Sequence, residues 1–110
     1  MTDSGAFRHI VCLITAPNFE EAEKISAALV EKKLAACCSI IHGVVSIYEW
    51  EGKINRAEEC QVFAKTLGEL FPALMAEVKK IHSYDVPEII ALPITMGLPA
   101  YLDWIDGIKK

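Results

Sequence analysis

Two β-rich runs, residues 35–50 and 53–66, are separated by one tight turn at Glu51-Gly52. Glycine supplies the positive φ such a turn needs. Few folds accept a hairpin of this length in so short a chain. Each side of it reads as helix and strand, giving the order β-α-β-β-α-β. That order suits an α+β, ferredoxin-like sandwich, an antiparallel sheet with two helices on one face, and would suit other α+β sandwiches as well.

Residues 8–16 form a continuous apolar run ending at Pro17, which predicts a central strand covered on both faces. Asn18 can cap a helix over 18–33, with Glu21 as its capping-box partner. Ala22, Ile25 and Leu29 give that helix its apolar stripe. In the hairpin, Trp50 is expected to face Lys53, and Tyr48 to face Asn55. Ile41, Val45 and Ile47 then share the core face with Cys60, Val62 and Ala64. Tyr48, Ser46 and His42 share the other face with Gln61 and Lys65, and a bulge at Gly43 would shift the register upstream of it. The second helix starts near Leu70 with Pro72 in its first turn. Residues 88–95 read as a fourth strand, and Pro93 argues that it lies at an edge or ends early. A short helix then runs to Ile108.

The chain has 110 residues, which predicts one domain over 1–110 with residues 1–7 as a flexible tail. Its apolar share is 53%, more than one small core readily hides, so burial between subunits is as good a reading as a well-filled monomer. A net charge of −4 argues against nucleic acid. No apolar run of about 18 residues occurs, so no membrane partner is expected. The first residues lack a basic, apolar leader, which makes the expected address cytoplasmic.

Chemistry-bearing residues concentrate in Ser46–Ile54 and His82–Glu88. His82 closes the second helix. It reads either as a cation at the negative helix end or as a metal ligand near Tyr84 and Glu88. Tyr48 and Trp50 are hairpin packing or the aromatic wall of a pocket. Lys65, beside Glu59, is a surface ion pair or an anion contact in a cleft. His9 reads as an exposed strand residue and His42 as a bend residue. Cys12, Cys37, Cys38 and Cys60 contain no C-x-x-C pair, so each reads as a small buried apolar group. No nucleophile elbow, phosphate loop or dinucleotide fingerprint is present, and the chain is not expected to be an enzyme.

Several segments together resemble the CutA family of divalent-cation tolerance proteins. They are Thr15-Ala16-Pro17, Lys33-Leu34-Ala35-Ala36-Cys37, the hairpin residues Ser46, Tyr48, Trp50, Glu51, Gly52 and Lys53, then Glu59 with Lys65-Thr66. His82, Tyr84, Val86, Pro87, Glu88 and Ile89 follow, and finally Tyr101, Leu102 and Trp104. The resemblance implies a tight homotrimer whose hairpins extend the sheet into neighbouring chains. It also implies a role in tolerance of copper and other divalent metals, with no enzymatic activity and no obligatory cofactor. The implied cleft between subunits is lined by Tyr48, Trp50, Glu59, Lys65, Tyr84 and Glu88, with His82 as the ligand of a weakly held Cu(II). The fullest ligand set of such proteins also has a Cys where this chain has Ile14 and a second His where it has Ile81. Ser83 and His42 stand where proline is usual, and Cys12 lies on the same strand face as Ile14. A different reading is a sensor of small anions, contacting them through Lys65 and signalling to a partner protein.

Overall fold

In the computed structural model, which describes residues 7–109, strand β1 (His9–Ala16) holds the centre of the sheet. It pairs antiparallel with β3 (Lys53–Leu67) on one side and with β4 (Ile89–Pro93) on the other. β2 (Cys37–Trp50) pairs with β3, giving the order β2-β3-β1-β4. This is the ferredoxin-like arrangement, and Pro93 does lie in an edge strand. The expected tail falls outside the described residues except for Phe7.

The helices explain which residues are buried. α1 (Phe19–Glu31) begins at Asn18, whose Oδ1 accepts the Glu21 N–H at 2.8 Å. Ala22, Ile25 and Leu29 are fully buried, as their spacing predicts. α2 (Phe71–Ile81) follows a single turn of 3-10 helix and buries Leu74 and Val78. Both pack on the sheet face carrying Ile10, Cys12, Ile14, Cys60, Val62 and Ala64, and these form one core. α3 (Pro99–Asp106) buries Ile105.

The opposite face differs from expectation. The continuous apolar run in β1 predicts cover on both sides, yet burial alternates along the strand. Val11 and Leu13 are only half-buried, and their β4 partners Leu92 and Ile90 are 49% and 48% exposed. Two helices cover one face of the four-stranded sheet, while on the other face α3 reaches only the end of β3 and the His9 end of β1, leaving Ile90 and Leu92 open. An apolar strand with one open face is what a chain presents when its second layer comes from elsewhere.

The hairpin carries one extra residue in β2. Ile41 pairs with Gln61 while Val44 pairs with Glu59, so the register shifts by one between them. Gly43 takes the strain with φ of 72°. Upstream of this bulge the residues sharing the core face are Cys38 and Ile40, opposite Ala64 and Val62. Ile41 is on the open face instead of the core face, and it is 50% exposed. His42 leaves the face of Gln61 and Lys65 altogether and stacks on Phe19 of α1, with ring centroids 4.4 Å apart. Downstream, the expected pairs Trp50–Lys53 and Tyr48–Asn55 form as drawn from sequence. Glu51 and Gly52 have φ of 51° and 78°, the paired left-handed conformation of a two-residue hairpin turn. Val45 and Ile47 have core-side parity but are exposed, because the hairpin arm runs beyond the helices.

Three outcomes follow from this packing. A Cβ at residue 43 meets nothing within 4 Å, so Gly43→Ala costs only backbone strain, about 1 kcal/mol. Leu74→Ala opens a cavity in the sealed core and should cost about 2–5 kcal/mol. Urea unfolding at one fixed protein concentration should rank them in that order. Burial pushes the Cys12 thiol from its ordinary 9.0 up to about 12. Burial likewise pushes Cys38 up to about 11. At pH 8 both should resist iodoacetamide in the native protein and react at ordinary rates in urea, read by mass spectrometry. Both groups bind protons more tightly when folded, so their contribution to stability is complete below pH 9 and declines as pH rises towards 12.

Candidate functional site

The end of β1 places Thr15 at the mouth of the sheet, opposite Gln61 on β3. Parity puts both side chains on the open face. The loop after α2 must cross this strand end to enter β4, and three contacts hold it there. The His82 side chain is fully buried. Its Nε2 lies 2.7 Å from the Thr15 carbonyl oxygen and its Nδ1 lies 3.0 Å from the Tyr84 backbone nitrogen. A carbonyl can only accept and an amide N–H can only donate. The ring is therefore assigned as the Nε2–H tautomer, with its Nδ1 lone pair filled by Tyr84 N–H. Glu21 accepts from both Ser83 N–H and Ser83 Oγ–H, at 2.9 and 3.0 Å. Glu21 thus anchors the loop instead of closing a capping box on its own helix.

The loop delivers two side chains to the open face. Tyr84 donates its phenolic hydrogen to Glu59 Oε2 at 2.6 Å. Partial desolvation, then the hydrogen bond and charge of Glu59, push the phenol well above its ordinary range, so it stays a donor. Glu88 Oε1 accepts from Thr15 Oγ1 at 2.7 Å. Thr15 has one hydroxyl hydrogen, already spent on Glu88. Gln61 Oε1 is nonetheless placed 3.3 Å from the same oxygen, while its Nε2 is buried without a partner. Exchanging the amide's oxygen and nitrogen resolves both problems, because Gln61 N–H then donates to Thr15 Oγ1.

Tyr84, Glu59 and Glu88 thus meet around Thr15 and Gln61. Sequence reasoning singled out the first three and passed over the last two as cleft residues. Their signal was a polar pair set at matching positions in two otherwise apolar strands. Of the other expected members, Tyr48 pairs with Asn55, about 13 Å along the strand from Glu59, yet its phenol is near enough to add to the upward push on Tyr84. Trp50 and Lys65 do not join the cluster within the protomer. Trp50 is at the hairpin tip, 65% exposed. Lys65 is six residues from Glu59 in the other direction, about 20 Å, and donates to Ser39 Oγ at 2.8 Å. One surface hollow lies under Trp104 beside Val30 and Lys33, and another lies behind the latched loop, lined by Asn18, Glu21, Lys24 and Ile81.

A copper or zinc site needs several converging nitrogen, sulfur or carboxylate donors. Among the described residues no group of three or more His, Cys, Asp or Glu could hold an ion. His82 has both ring nitrogens bound to protein, Cys12 is sealed in the core, and Ile14 and Ile81 carry no donor. The residues of one protomer therefore do not fit a resident copper centre.

Comparison with known proteins agrees with this fold. Residues 10–107 match the family of the CutA1 divalent ion tolerance protein. The divalent-cation tolerance protein CutA of Archaeoglobus fulgidus is 50% identical over 98 residues, covering 89% of this chain and 95% of that protein. Protein CutA of mouse is 47% identical over 97 residues, 88% of this chain but 55% of the mouse protein, so the chain spans about half the length of that relative. A solved structure of the A. fulgidus protein, described as a periplasmic divalent cation tolerance protein, superposes with a TM-score of 0.89 at 48% identity, covering 93% and 99% of the two chains. No helix among the described residues is long and apolar enough to cross a membrane. The family match, the relatives and the solved structure agree, and the chain belongs to the CutA1 divalent ion tolerance family.

Proposed function

We propose that this protein serves divalent-cation tolerance in the cytoplasm as a non-enzymatic homotrimer, engaging its ligand weakly in crevices between protomers. The observation that carries this reading is the scatter of the expected cleft. Glu59, Tyr84 and Glu88 meet at one end of the open face, while Trp50 and Lys65 point away in opposite directions along the hairpin. They can line one crevice only if different copies supply them. The open apolar face supplies the drive for that assembly, since Ile41, Ile90 and Leu92 are about half exposed in the protomer.

A divalent ion such as Cu(II) would meet the Glu88 carboxylate first. It reaches His82 only if Tyr84 N–H withdraws from Nδ1, so His82 works chiefly as the latch of the loop. Calorimetric titration with Cu(II) should give weak binding that His82→Asn changes by less than about threefold. A loss of tenfold or more would place His82 in the ligand set. Light scattering of the native protein at micromolar concentration should report three chains; a folded single chain there would remove the shared crevice.

A further inference from the structure

Several charged side chains satisfy one another within the protomer, and most of the others point freely into water. Arg8 pairs with Asp106, Lys32 and Lys80 with Glu77, Arg56 with Glu58, and Lys109 with Glu69. Lys65 and Glu59 are different. Both are half-buried, both belong to the row of β3 that faces the open side, and neither has an ionic partner among the described residues. Lys65 holds only the neutral Ser39 hydroxyl, and Glu59 only the neutral Tyr84 phenol. Between them on the same row lie Gln61 and Phe63, so roughly 20 Å of strand prevents them from meeting in one chain.

Covering the open face removes water from both groups. A desolvated ammonium and a desolvated carboxylate are each costly alone and tolerable together. Ser39 and Tyr84 already fix the two side chains, so each charge is presented in one position. Lys53, also on this row, sits beside the exposed hairpin turn and stays hydrated.

We propose that Lys65 of each protomer donates to Glu59 of the partner subunit, forming an ion pair across the crevice that no single chain can make. This deepens the proposed function and rests on its shared crevice. The pair closes the crevice by joining the loop-latched end of one sheet to the far end of β3 in the next. It also leaves Glu88, with one oxygen still unbonded, as the acidic group open to a cationic ligand.

Charge reversal tests the pair. Lys65→Glu and Glu59→Lys, each alone, should raise the concentration at which the assembly dissociates at least tenfold, measured by light scattering across a dilution series. The double reversal in one chain recreates the pair in every crevice and should return that concentration to within threefold of native. Circular dichroism reports folding of each variant. Should a reversal fail to fold, Lys65→Met and Glu59→Gln replace the reversals: each should weaken assembly, and the two together should weaken it no more than either. Single reversals without effect would overturn the pair, as would a double variant no better than the singles. Rescue of Lys65→Glu by Glu88→Lys in place of Glu59→Lys would overturn the choice of partner. A native chain that never assembles would remove the crevice itself, a failure plainly distinct from an assembly indifferent to residues 59 and 65.

Discussion

The pairing of β1 with β3 decides nearly everything else in this protein. Its register sets Ala16 against Cys60 and Ile10 against Thr66, so even-numbered residues of both strands turn to the helices. Every odd-numbered residue then faces the other way. Side chains repeat with period two along a strand, and one slip would exchange the core for the open face. α1 and α2, with their single apolar stripes, can satisfy only one of these faces. The protomer is thus built with one finished side and one unfinished side, and its chemistry lies on the unfinished one.

The loop between α2 and β4 gains its order from that same register. Thr15 is the last odd-numbered residue of β1, so its side chain looks out while its carbonyl stays at the strand end. His82 takes the carbonyl and Glu88 takes the hydroxyl, which ties both ends of the loop to one residue. Tyr84, between them, reaches Glu59 on the next strand. A buried imidazole serves this purpose well because it offers one donor and one acceptor on a rigid ring. It accepts a backbone N–H and donates to a backbone C=O that would otherwise lack partners beneath the loop.

Much of this was legible in the amino-acid order. The turn at Glu51-Gly52, the apolar stripe of α1, the proline in the first turn of α2 and the edge position of Pro93 are local signals with local causes. The bulge was legible only as an alternative, because Gly43 announces flexibility without saying which neighbours move. Ile41 and His42 were therefore assigned to the wrong faces. The two-sided cover expected for β1 was misread for a deeper reason. A strand's composition records that its face will be buried, and it does not record whether the same chain or another does the burying. The cleft residues were found because aromatic and charged groups exceed what turns need. Thr15 and Gln61 were missed as cleft members because polar residues inside strands look like ordinary alternation, and Glu21 because its carboxylate had an adequate local use.

The single extra residue at the bulge also governs how this protein tolerates insertions and deletions. Pairing with β3 fixes which side of the arm carries Tyr48 and Trp50. Removing one residue between Ile41 and Val44 would restore an even ladder and keep those pairs, but it would take away the local bend and the place from which His42 stacks on Phe19. The tip would keep its sequence, its turn and its pairing, yet stand at a changed angle to whatever lies beside it. Length at this site therefore sets the aim of the arm.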